Sequence, residues 1–183
     1  GRDRELMEKA YPGDILGFVS NADFRIGDTL STDPSLSFNE IPRFAPECFA
    51  YIQNISMSGY KSFRKGLDHL LAEDIVQAFY LDEINSATPL LGAVGPLQFE
   101  VLQYRLKDEY GVESNLEMKQ WEVLRWADYD MNIDAIKDSL PHNTVYGKDD
   151  KGRTVILFPT IWSMDYFLKN NPSVKLFDSP QLN

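Results

Sequence analysis

Cysteine is almost missing from this sequence: Cys48 is the only one in 183 residues. No internal disulfide can form, and such scarcity points to a reducing, cytosolic setting. Histidine is nearly as rare, with only His69 and His142. A nucleophilic Cys–His pair would have to be assembled from separate segments, so Cys48, inside an apolar run, reads as a small buried hydrophobe. No His/Cys cluster has zinc-ligand spacing. Long hydrophobic runs are lacking too, since charges or prolines interrupt every apolar stretch. Nothing reaches the length of a membrane span, and the opening GRDRELMEKA has no signal-peptide features. Excess positive charge is the last absence. Net charge is −10, so the long-range field repels nucleic acid, and any such contact must come from a local basic face. A soluble, cytoplasmic chain with no membrane partner is expected.

What is present suffices for a core: 43% of residues are hydrophobic and 13% aromatic. Residues 14–38 read as short strands separated by Asn-Ala-Asp, Gly-Asp and Asp-Pro turns, a β-barrel or sandwich fragment whose earlier strands would lie upstream. FNEIPRFAPE, with Pro42 and Pro46, favours extended backbone and marks a linker over 39–46. The pattern then changes. Strand 48–55, helix from an N-cap at Ser58 to about Ala72, strands 75–81 and 89–94, helix 96–110 closed by Gly111, and strand 112–120 make β-α-β-β-α-β, the ferredoxin-like order. From Trp121 the order recurs: strand to Ala127, helix over about 132–140, strand 144–147, turn KDDKG, strand 153–158, helix 160–169 and strand 174–177. The fold class is α+β, with a partial barrel over 1–38, a ferredoxin-like unit over 47–121 and a second α/β unit over 122–183. Whether these are two units side by side or one larger sheet stays open.

LLGAVGPLQFEVLQYRL tests for a phosphate site. Neither G-x-x-x-x-G-K-[ST] nor G-x-G-x-x-G is present, and Pro96 removes a donor from the helix end. Gly95-Pro96 instead reads as a helix start, with glycine supplying whatever dihedrals the turn needs. Phe99, Leu102, Leu106 and Tyr110 recur at core spacing. Leu97, Val101 and Tyr104 form a second stripe, which predicts packing against a neighbouring unit or partner as well. DILG resembles a GTPase switch but has no P-loop before it. DYDMN resembles the start of a calcium loop but lacks the central glycine and the closing glutamate. No catalytic residues, cofactor-binding residues or metal ligands emerge. One feature stands out: in SGYKSFRKGLDHLL, the residues Lys61, Arg64 and Lys65 at i, i+3, i+4 gather on one helix face and are candidates for contact with a phosphate backbone.

In order, AYPGDILGF, FRIGDTL, IPRFAPECFA, KSFRKGLDHL, VQAF and LLGAVGPLQFEVLQYRLKDEYGV resemble the bacterial class-II peptide-chain release factors, translational GTPases of termination. The helix motif is also a looser cousin of G-x-G-E-L-H-L in elongation factor G; Pro96-Leu97-Gln98-Phe99 favours the release factor. The resemblance implies a C-terminal piece without the GTPase domain, so GTP or GDP would belong to that absent domain and this chain would not itself be an enzyme. It further implies docking on the ribosome, at the small subunit, in a factor that drives release of class-I release factors. Two other readings are a stand-alone RNA-binding module stacking bases on Phe49, Tyr51 and Phe79 of a ferredoxin-like sheet, and a paired α/β sensor of a small molecule.

Overall fold

The computed structural model describes residues 7–17, 19, 27–38, 43–55, 59–82 and 88–181. The element order is β1 (Cys48–Asn54), α1 (Tyr60–Ala72), β2 (Gln77–Leu81), β3 (Leu90–Ala93), α2 (Pro96–Tyr110), β4 (Ser114–Lys119), β5 (Val123–Ala127), two single 3-10 turns, β6 (Val145–Asp149), β7 (Thr154–Phe158), α3 (Ile161–Asn170) and β8 (Leu176–Phe177). All eight strands belong to one antiparallel sheet in the order β4-β1-β3-β2-β6-β7-β5-β8. The α+β class therefore holds, and the open choice resolves to one larger sheet. Its first half reads 4-1-3-2 in the numbering of the first unit. The second half repeats that order in mirror sequence, so the two units join through their equivalent strands, β2 and β6.

Alternation along the strands sorts the core into three layers. Ala50 and Ile52 of β1 face α1 and α2, meeting Phe63, Leu67, Leu70, Phe99, Leu102 and Leu106. Phe49 and Tyr51 point the other way and join Phe79 and Leu90 against Leu124, Trp126, Val155 and Leu157 of the second half. The remaining face of the second half, with Val123, Ile156 and Phe158, is covered by Met164 and Phe167 of α3 and by Ile133, Ile136 and Leu140. The sheet thus folds over between β2 and β6, putting two half-sheets face to face and helical segments on both outer sides. Gly147 of β6 makes that junction possible: a Cβ there would lie 2.1 Å from the Tyr80 carbonyl oxygen.

Several expectations need correction. The helix over 132–140 is two 3-10 turns, Ile133–Ala135 and Lys137–Ser139. Ile136 between them has φ −119, and Ser139 Oγ donates to the Ile136 carbonyl at 2.7 Å, competing with a continuing helix. A three-residue repeat still sets Ile133 and Ile136 on one side. Over 14–38 the described residues, 14–17, 19 and 27–38, form no strand, because a strand needs a hydrogen-bonded neighbour and none of the described chain supplies one. Ser58 lies outside the described residues; the α1 cap is Gly59, with φ 98. Gly95 is extended, at φ −152 and ψ 159, so its conformational freedom is not used.

Candidate functional site

The α1 helix places the cationic stripe. Phe63, Gly66, Leu67 and Leu70 are its buried residues, and the 3.6-residue period puts Lys61, Arg64 and Lys65 on the opposite side. All three are exposed. Asp68 shares their face. Lys61 and Lys65 form no ion pair among the described residues, so their charge is presented to solvent.

Neighbouring cations are committed elsewhere. Arg105 of α2 pairs with Glu73 and Glu109, and Lys107 pairs with Glu113 at 2.9 Å. Those hydrogen bonds push Arg105 and Lys107 up and hold Glu109 and Glu113 below the ordinary glutamate value. Within the stripe, Lys61 and Lys65 are thus cations of this layer that the carboxylates between α1 and α2 do not tie up among the described residues. The two helices touch closely: Tyr110 and Leu106 crowd Gly66, where a Cβ would come within 2.7 Å of Tyr110 Cγ.

The start of α2 is closed to anions. Gln98 Oε1 accepts the Val94 amide at 2.8 Å and the Gly95 amide at 3.4 Å, and Gln98 Nε2 donates to the Ile75 carbonyl at 2.9 Å. Amides that could hold a phosphate hold a side chain instead, which makes GAVGPLQ a packing device. The second stripe on α2 is uncovered by the described chain: Leu97, Val101 and Tyr104 are exposed. Base stacking on the sheet is also blocked. Phe49, Tyr51 and Phe79 are buried between the half-sheets, so the surface that an RNA-stacking reading needs is interior.

The sequence reading missed two constellations. Asp149, 4% exposed, accepts Trp126 Nε1 at 3.0 Å and Arg153 Nε at 2.7 Å through Oδ2. Its Oδ1 takes the Lys151 and Arg153 amides. Arg43 links Asp74 at 2.9 Å to Asp150 at 2.7 Å, tying the segment before β1 to a turn of each half. The Arg43 pairs and the Trp126–Asp149 bond join residues far apart in sequence, where no local pattern marks them, whereas the Lys151 and Arg153 contacts of Asp149 are local to the β6–β7 turn. Among the described residues no three His, Cys, Asp or Glu side chains form a metal-ligating group, and no helix is long and apolar enough to cross a membrane.

Comparison with known proteins adds a definite result. The family described as Class II release factor RF3, C-terminal domain, matches residues 38–168. The chain is 42% identical over 176 residues to Peptide chain release factor 3 of Synechococcus elongatus, covering 96% of this chain and 32% of that protein. Proteins of the same name from Trichodesmium erythraeum and Symbiobacterium thermophilum are each 42% identical, over 96% and 94% of this chain. The chain spans about a third of the length of these relatives, at 32% of each.

Proposed function

Since this chain belongs to the family of the class II release factor RF3 C-terminal domain, we propose that it is the ribosome-docking part of a cytoplasmic translation-termination factor. In this reading the whole factor uses GTP to promote release of class-I release factors from the ribosome, and GTP or GDP is bound by a domain outside these 183 residues. The present chain contributes rigid placement on the small subunit and hydrolyses nothing. The family match over residues 38–168 carries the proposal.

The fold supplies a physical means. One continuous sheet buried on both sides by helical segments and by itself is stiff, and it holds α1 so that Lys61, Arg64 and Lys65 point outward together. Three cations on one helix face suit backbone phosphates, whose contact orients a protein without reading sequence. A net charge of −10 opposes approach by any other face and so restricts docking to this one.

Co-sedimentation of the chain with intact ribosomes across a salt series tests this, with naked ribosomal RNA as comparison. Binding that weakens with salt and prefers ribosomes is expected, and the K61E/R64E/K65E variant should flatten the slope of log K against log salt by roughly 2 to 3. An unchanged slope in the variant overturns the role of α1. GTP turnover by the purified chain would contradict the division of labour itself.

A further inference from the structure

The outer layer on the other side of the molecule carries an unpartnered aromatic face. On α3, Ser163, Met164 and Phe167 are buried, so helical spacing turns Trp162, Asp165 and Tyr166 outward. Trp162 is 74% exposed and Tyr166 56%. Their rings nevertheless stack, with centroids 5.5 Å apart and planes 16° from parallel. The helix beneath is well anchored: Thr160 Oγ1 accepts the Ser163 amide at 3.1 Å, and Phe167 packs on Phe158.

Charge selects the occupant. Asp165 shares the face, and Glu122 sits at the helix start, where its Oε2 accepts the Ile161 amide at 2.9 Å. At the far end, the Asp128 amide bonds the Lys175 carbonyl at 3.2 Å, which brings the Asp128–Tyr129–Asp130 loop beside the segment leaving α3. Along α3 and the segments just named the cations are Lys169 and Lys175, and the carboxylates Glu122, Asp128, Asp130 and Asp165 outnumber them. Phosphate backbone is repelled by such a surface, whereas a cationic protein segment is attracted. A guanidinium fits best, because it stacks flat on an indole or phenol ring and reaches a carboxylate at the same time. Mutual stacking already restricts both rings, so little rotamer freedom is lost on binding. Trp, Tyr and Arg are also the residues that dominate interface energetics.

We infer that the outer face of α3 is a docking surface for an arginine-rich protein segment, with guanidinium groups over the Trp162–Tyr166 stack and Asp165 as counter-charge. The surface lies on the opposite side from the α1 stripe and does not depend on the release-factor reading.

The test is proton–nitrogen NMR of the full chain, following the Trp162 indole N–H, with the buried Trp126 indole as an internal reference for folding. The probe is a short peptide of alternating arginine and glycine, and oligouridylate is the competitor class. A saturable shift of Trp162 with Trp126 unmoved is expected. Binding should weaken about tenfold in Y166A and in D165K and stay unchanged in K61E/R64E/K65E. No shift with the peptide, an equal shift in Y166A and D165K, or stronger binding of oligouridylate would each overturn the inference. Since the α1 variant is silent here, failure of this test and failure of ribosome docking are distinguishable.

Discussion

Asp149 shows how much one buried carboxylate can hold. It satisfies the indole of Trp126, the guanidinium of Arg153 and two backbone amides of the β6–β7 turn. An isolated carboxylate at 4% exposure would be strongly disfavoured, and these donors offset that cost. D149A leaves Trp126 Nε1 without its acceptor and Arg153 without its counter-charge. A loss of about 3 kcal/mol in urea denaturation is expected, against near-neutrality if the group were merely decorative. Glu109 and Glu113 behave differently, lying at the surface. Hydrogen bonds from Arg105 and Lys107 depress them below the ordinary 4.5. Their stabilisation is complete above the unfolded value and is lost as pH falls through the lower folded values. The melting temperature of E109Q/E113Q should therefore fall less than that of the parent on acidification below about pH 4.5, and the difference should shrink in high salt.

At the scale of elements, glycine positions separate turns from junctions. Gly147 lets β6 approach β2, and a Cβ there would sit against backbone, which has nowhere to move. G147A is expected to cost about 3 kcal/mol or more and to speed hydrogen exchange at Tyr80 and Leu81. Gly95 offers the opposite case, extended and facing open space. G95A should stay within about 0.5 kcal/mol of the parent. For α3, T160A removes the acceptor of the Ser163 amide and should cost about 1 kcal/mol by thermal unfolding. That loss would loosen the helix carrying the exposed aromatic pair without touching the pair.

Across the whole molecule, the two halves share a sheet and the apolar layer between Phe49, Tyr51, Phe79 and Leu90 on one side and Leu124, Trp126, Val155 and Leu157 on the other. Neither half can keep that layer dry alone. Unfolding followed by far-ultraviolet circular dichroism and by tryptophan fluorescence should give coincident transitions, and residues 47–121 expressed alone should aggregate or fail to fold. Two resolved transitions would mean that the halves are stable separately. The connection between β4 and β5, where the sequence changes unit, is thus a seam in the order of elements and not a break in the core.

Local pattern determined most of the elements. The apolar runs CFAYI and TVILF, Gly111 closing α2 and Thr160 opening α3 are readable because each depends on neighbours a few residues away. The outward placement of Lys61, Arg64 and Lys65 follows from helical period alone, and so did the family resemblance from motif order. Segment 132–140 was misread because helix and 3-10 turn share similar apolar spacing, and the choice fell to the Ser139 hydroxyl and to packing under α3. Only the tertiary structure decided that β2 pairs with β6, that Phe49, Tyr51 and Phe79 become interior, that Arg43 reaches two distant turns, and that Trp126 of β5 meets Asp149. Strand pairing and sheet curvature arise from contacts between residues remote in sequence. A pattern of alternation states that a strand has two faces and is silent on what covers each.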